Sequence, residues 1–180
     1  SISDDLARHV VDMIGALVYE HDVKKAESAH QKYEAHQVSK GCTQNGVLYL
    51  CTDGAYVNTT VVVEGSGWHE CKLALAFHSH DIENYHTATS DDAMHILNKK
   101  YRGFIGSVDE FKWHMYALAL ENGYGTYKNT VLLADGAPWI RNMQKELFPD
   151  ATRILDRYHL WENIGKFGIA MIKGKNDSCG

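Results

Sequence analysis

The sequence predicts an α/β fold: a mixed sheet with helices on both faces, preceded by an N-terminal helical segment. Three observations predict it. Strand-length apolar runs in the first half follow one another with only turn residues between them. In the second half such runs alternate with segments whose apolar residues recur at helical spacing. Two of the runs end in the same three residues, Asp53-Gly54-Ala55 and Asp135-Gly136-Ala137.

The 180 residues, 44% hydrophobic and 23% charged, suit one soluble domain with a full core. No apolar run approaches the ~20 residues that span a bilayer, so no membrane partner is expected. The N-terminus is acidic and polar, unlike a signal peptide. Cys42, Cys51, Cys71 and Cys179 form no C-x-x-C pair. Cys51 and Cys71 fall in predicted strands, which suits reduced core thiols and a cytoplasmic location. A net charge of −5 argues against a chain whose main task is gripping nucleic acid. It leaves room for a catalytic domain that handles DNA while another domain supplies the grip. The chain opens at Ser1 inside a helical pattern and stops at Gly180 just past another, as expected of an excised domain.

Residues 1–45 read as a helical segment and linker. Leu6, Val10, Met13, Ile14, Leu17 and Val18 recur at helical spacing, and Ser3 or Asp4 can cap the start. Val23 to Val38 is polar, a candidate solvated helix whose neighbours His21, His30 and His36 face water. Lys40 to Gly46 is a loop of turn formers. Residues 46–175 read as the sheet-bearing domain. Val47 to Thr52 is almost wholly apolar, as in a strand buried on both faces. Tyr56 to Glu64 is rich in Val and Thr, and Gly65 to Gly67 makes a turn. Trp68 to His78 alternates, with Cys71, Leu73, Leu75 and Phe77 on one face. These three runs read as an antiparallel meander.

Ser79 to Gly106 is polar and reads as a long surface loop with a helical turn near Asp91 to Lys99. His78, His80 and Asp81 make a candidate metal cluster, although no partner Cys or His stands at a zinc-like spacing. Ser107 and Glu110 form a capping box for a helix to Asn122, with Phe111, Met115, Leu118 and Ala119 inward and Gly123 as terminator. Thr130 to Ala134 is a buried strand ending on Asp135, Gly136 lets the backbone turn, and Pro138 starts a helix to Leu147. Thr152 to Leu155 is a short strand closing on Asp156. A last helix runs from Tyr158 to about Lys173, with Leu160, Trp161, Ile164, Phe167, Met171 and Ile172 inward.

The order β-β-β-α-β-α-β-α is the RNase H-like arrangement. In that topology the first and fourth strands are parallel neighbours, so their carboxyl ends bring Asp53 and Asp135 together. Adjacent carboxylates repel unless a cation sits between them. Mg2+ or Mn2+, hard and oxygen-seeking, fills that role. Two such ions ~3.5–4 Å apart can clamp an in-line phosphoryl displacement, the chemistry of nucleases and strand transfer. The plainer alternative is that Asp-Gly after a strand is turn chemistry.

V-L-L-A-D-G-A-P-W-I-R-N (Val131 to Asn142), L-F-P-D-A (Leu147 to Ala151) and I-L-D-R-Y-H-L-W-E-N (Ile154 to Asn163) resemble the catalytic core of bacterial insertion-sequence DDE transposases of the ISLre type, distant relatives of the Mutator-like group. L-Y-L-C-T-D-G-A-Y-V (Leu48 to Val57) and W-H-E-C-K (Trp68 to Lys72) resemble the block around that family's first acid. The resemblance spans roughly Val47 to Phe167. It implies Asp53 as first acid, Asp135 as second, two Mg2+ or Mn2+ ions, DNA partners (transposon ends and target), a homo-oligomer in the full-length protein, and a bacterial cytoplasmic location. Asp156 and His159 match the short acid-x-x-His motif, with His159 steadying the site or meeting DNA. The family's third acid usually follows a helical insertion, which places it beyond Gly180. Glu162 is the in-chain substitute.

Trp139 reads as core packing. Lys72 and Arg141 read as solvated or phosphate-facing, and Tyr56 and Asn58 as DNA-side contacts. The leading function is metal-dependent DNA strand cleavage and strand transfer. The alternative is a catalytically inactive RNase H-like module that binds DNA or protein. A small-molecule phosphohydrolase fits less well, because no D-x-D pair follows either strand and no G-x-x-x-x-G-K loop is present.

Overall fold

The fold is seen in a computed structural model. It describes residues 3–38, 41–63, 66–87 and 90–176, with backbone alone for residues 60–63, 66, 85–87, 90–93, 168 and 170–176. Helix α1 (Asp4–Glu34) leads into strands β1 (Gln44–Val63) and β2 (Ser66–His78). A single 3-10 turn, Ser79–Asp81, precedes a separate hairpin, β3 (Ile82–Thr87) and β4 (Ser90–Ile96). Strand β5 (Lys100–Ile105), α2 (Val108–Glu121), β6 (Tyr127–Ala134), α3 (Pro138–Leu147), β7 (Thr152–Leu155) and α4 (Arg157–Asn176) follow. The main sheet has the order β5-β2-β1-β6-β7. β1 pairs antiparallel with β2 and parallel with β6, β5 joins β2 antiparallel, and β7 joins β6 parallel. Among the described residues the result is α/β with a mixed five-stranded sheet and four helices.

Alternation along the strands sends Leu48, Leu50, Ala74, Ala76, Phe104, Leu132 and Ala134 to one face, where all are buried. Phe111 and Met115 of α2 and Ile140, Met143 and Leu147 of α3 complete the same core. The Ser107 capping box forms as the sequence implies: Ser107 Oγ accepts from the Glu110 N–H at 3.2 Å, and Glu110 Oε2 accepts from the Ser107 N–H at 3.2 Å. Gly123 ends that helix at φ +85°, a conformation L side chains avoid.

Several expectations are corrected. Val47 to Thr52 and Tyr56 to Glu64 are one strand as far as Val63, not two; Glu64 and Gly65 lie outside the described residues. Gly54 is no turn. It pairs with Lys72, and a Cβ there would stand 2.9 Å from Glu70 Oε1, so the glycine makes room for a neighbouring carboxylate. The supposed loop 79–106 contains the hairpin and the true third strand of the meander, β5. Its inward positions are Arg102 and Phe104, and a buried arginine defeats an apolar-alternation reading.

Helix α1 is inverted relative to expectation. Its apolar first half is exposed, Leu17 at 61% for example, while Ala26 and Ala29 of the polar half are buried. Small residues there let α1 lie close along α2, and Tyr33 meets Tyr116 edge-on at 5.7 Å. His30 is half-buried and stacked on Trp113 at 3.8 Å, whereas His21 and His36 are exposed as expected. In α4, Leu160, Trp161, Ile164 and Phe167 are exposed rather than inward, while the side chains of Met171 and Ile172 lie outside the described residues. The three helices α1, α2 and α3 therefore share one face of the sheet. On the other, Leu73, Tyr101, Ile105 and Ile154 remain exposed. Cys42, Cys51 and Cys71 are free thiols, and Cys179 lies outside the described residues. Among the described residues no helix is long and apolar enough to cross a membrane.

Candidate active site

The parallel pairing of β1 with β6 ends at Thr52 opposite Ala134, and that of β6 with β7 at Ala134 opposite Leu155. The next residue on each chain is an aspartate: Asp53, Asp135 and Asp156. Three adjacent parallel strands thus present a row of acids at one edge. The Asp156 N–H donates to the Ala134 carbonyl at 2.9 Å, which holds the third acid at the end of β6.

Asp53 does not stand at a strand end, as the sequence suggested. It lies within β1, opposite Leu73, at the point where β1 loses β6 as a neighbour. Beyond Ala55, where β2 also parts from β5, β1 and β2 continue as a two-stranded ribbon carrying exposed Tyr56 and Asn58. Asp53 is exposed, and its Oδ1 accepts from the Gly54 N–H at 2.8 Å. Asp135 is half-buried, directly after β6, and its Oδ1 accepts from the Ala137 N–H at 2.8 Å. That bond shapes the turn into α3, with Pro138 in the first helical turn. Gly136 keeps a negative φ, so the turn rests on the Asp135 side chain rather than on glycine's freedom.

Asp156 caps α4: its Oδ1 accepts from the Tyr158 N–H at 2.7 Å. Burial first, and then the Asp156 charge, pushes the Cys51 thiol up to about 11. Cys51 is therefore a protonated core thiol and no nucleophile at neutral pH. His159 stands between two acids, its Nε2 3.9 Å from Asp53 Oδ2 and its Nδ1 3.9 Å from Glu162 Oε2. Glu162 Oε1 is 2.8 Å from Lys166 Nζ, whose hydrogen bond and charge hold the Glu162 carboxyl below the usual range.

The donor set suits a hard cation, with carboxylate oxygens along the row, an exposed mouth, and Asp135 Oδ2 without a hydrogen bond among the described residues. The three carboxylates are not gathered around a single point. Among the described residues, the one group with three ligating atoms within 4.8 Å of one another is His78, His80 and Asp81, at the opposite end of β2. The structure places the remaining candidates plainly. Lys72 is buried, not solvated: its Nζ donates to Glu70 Oε2 at 2.8 Å and to the Gly106 carbonyl at 2.9 Å. Trp139 packs edge-on against Phe111 at 5.9 Å, and Arg141 is exposed. Asp156 as a member of the row is what sequence reasoning undervalued. The signal was there, in a third strand that ends on Asp.

Compared with protein-family models and with curated proteins, the chain matches no family model and no curated protein.

Proposed function

We propose that the chain is the catalytic domain of a DDE-type transposase, a metal-dependent enzyme that cleaves DNA strands and transfers them to a target. The observation that carries this reading is the row Asp53, Asp135, Asp156 at the end of three adjacent parallel strands. The sheet order supports it. Numbered along the main sheet alone, the strands run third, second, first, fourth, fifth, as in RNase H-like folds. The sequence blocks around Asp53, Asp135 and His159 resemble the same family.

When bound, a pair of Mg2+ or Mn2+ ions supplies activation of the attacking oxygen and stabilisation of the leaving one. The chain's own residues then have distinct tasks. Asp53 and Asp135 offer the carboxylate oxygens that hold the cations. Asp156 completes the row, and Glu162 is the other candidate for third ligand. His159, 3.9 Å from Asp53, steadies the site or meets DNA. Tyr56 and Asn58, on the ribbon beyond Asp53, face the DNA. Transposition places the protein in the bacterial cytoplasm, acting as a homo-oligomer on transposon ends and target.

The test is Mn2+ affinity of this chain, with strand cleavage by the full-length protein, for wild type, Asp53→Asn and Asp135→Asn. Each substitution is expected to weaken Mn2+ by more than the ~10–100-fold typical of losing an outer-shell partner, and to abolish cleavage. Unchanged affinity and cleavage in both would sink the proposal. Asp156→Asn still caps a helix well, so it separates ligation from folding. DNA binding that needs no metal and survives all three substitutions would indicate the inactive module instead.

A further inference from the structure

Far from the acid row, the end of β2 and the 3-10 turn gather His78, His80 and Asp81. His78 Nε2 lies 2.9 Å from the Asn122 carbonyl oxygen. A carbonyl only accepts, so this nitrogen carries the hydrogen. In the neutral ring, Nδ1 then holds a lone pair, and it faces Asp81 Oδ2 at 3.2 Å. Two acceptors at that distance require a cation between them, either a proton or a metal.

The spacing fits a metal. Metal–ligand bonds of ~2.0–2.1 Å in a tetrahedron set ligand atoms ~3.3 Å apart, close to the observed spacing. Asp81 is buried, and its two carboxylate oxygens accept from the Asn98 side chain at 2.8 Å and from the His78 backbone N–H at 3.0 Å, so the carboxylate is fixed in place. His80 Nε2 is 3.9 Å from Asp81 Oδ1 on an exposed ring. That ring lies stacked on His78 at 5.0 Å, so sharing an ion requires it to turn, and its side chain is 65% exposed. The Tyr127 ring, stacked on His78 at 4.9 Å, fixes the first ligand. An imidazole donating its second nitrogen to a carbonyl, and a carboxylate held by an amide, are the outer-shell contacts metal ligands normally have.

We propose that His78 Nδ1, His80 Nε2 and an Asp81 carboxylate oxygen bind a Zn2+-class ion, with water in the fourth position. Two imidazoles and one carboxylate suit zinc or cobalt, whereas the all-carboxylate row suits magnesium or manganese, so the two sites are chemically separate. The ion acts as a clip at the base of the β3–β4 hairpin. The Asp81 carbonyl accepts from the Leu97 N–H at 2.9 Å and the Asp81 side chain accepts from Asn98, so one residue joins both ends of the hairpin to β2.

The test is a Co2+ titration read by visible absorption, with Zn2+ competition, on the whole chain. Wild type is expected to bind one equivalent with the intense bands of tetrahedral Co2+, and an Asp53→Asn/Asp135→Asn background is expected to keep it. His80→Ala removes an exposed ring without disturbing the fold. It should weaken binding beyond the ~100-fold that loss of an outer-shell partner reaches, and Asn98→Ala should weaken it ~10–100-fold. Zn2+ should raise the melting temperature of wild type and not that of His80→Ala. If wild type gives no tetrahedral bands, or His80→Ala binds as tightly, the cation between His78 and Asp81 is a proton and the proposal fails.

Discussion

Replacing Arg102 by Met probes how α1 is held to the rest of the molecule. The Arg102 side chain is only 4% exposed, and its Nη2 lies 3.2 Å from both Asp22 Oδ1 of α1 and Glu121 Oε2 of α2. Each contact corresponds to about 5 kcal/mol of Coulomb attraction at an effective dielectric of about 20, most of it cancelled by desolvation. Methionine keeps the apolar stem but takes the guanidinium away from both acids, leaving Asp22 with only the exposed His21 ring at 3.3 Å, and breaking a buried pair from one side costs ~3–5 kcal/mol. Glu121 is 36% exposed and keeps Lys25 at 3.3 Å, so water and a second partner soften its share. Asp22, 19% exposed, carries most of the loss, which places the expected value near the lower end, about 3 kcal/mol. Urea denaturation measures this, and the melting temperature should fall by roughly 6–12 °C. In a double-mutant cycle, Asp22→Asn should recover part of the loss, with a coupling of ~1–3 kcal/mol. A loss below ~1 kcal/mol, the range of surface pairs, would show that this buried triad does not anchor α1.

Other outcomes follow from the same packing. Burial, then the Arg102 charge, holds the His114 ring below its ordinary value near 6.5, with Asp22 and Glu110 opposing. The unfolded chain therefore takes up the proton first as pH falls, so stability is full above about 6.5 and declines below it. His114→Phe, which preserves the stack on Phe104 (4.4 Å), should flatten that part of a stability–pH curve; an unchanged slope would count against it. Gly123→Ala should cost ~1–2 kcal/mol by thermal melting, because the residue sits at φ +85° and a Cβ would stand 3.0 Å from the Tyr127 ring.

Much of the second half was legible because its signals are local. The Ser107 capping box, the apolar stripes of α2 and α3, the bounds of β7 and the two strands ending in Asp all depend on residues a few positions apart. The first half misled where long-range packing overrides local pattern. Gly54 reads as a turn, yet it is extended because β1 runs on past Asp53 paired with β2, and the glycine there leaves room for the Glu70 carboxylate tied to Lys72. Arg102 reads as a surface residue, yet Asp22 and Glu121 make its burial tolerable and let 79–106 supply a sheet strand. The first half of α1 has the better apolar spacing, but the half with small residues fits against α2.

The sequence by itself determined the α/β class, the helix ends, and a carboxylate directly after β6 and after β7, because hydrophobic period and capping are set by near neighbours. Only the tertiary structure decided that Thr52, Ala134 and Leu155 share one register, which aligns Asp53, Asp135 and Asp156 across three strands. It likewise decided that the Asn122 carbonyl turns a ring of His78 toward Asp81. Register and distant hydrogen-bond partners arise from chain segments far apart in sequence, and no local pattern encodes them.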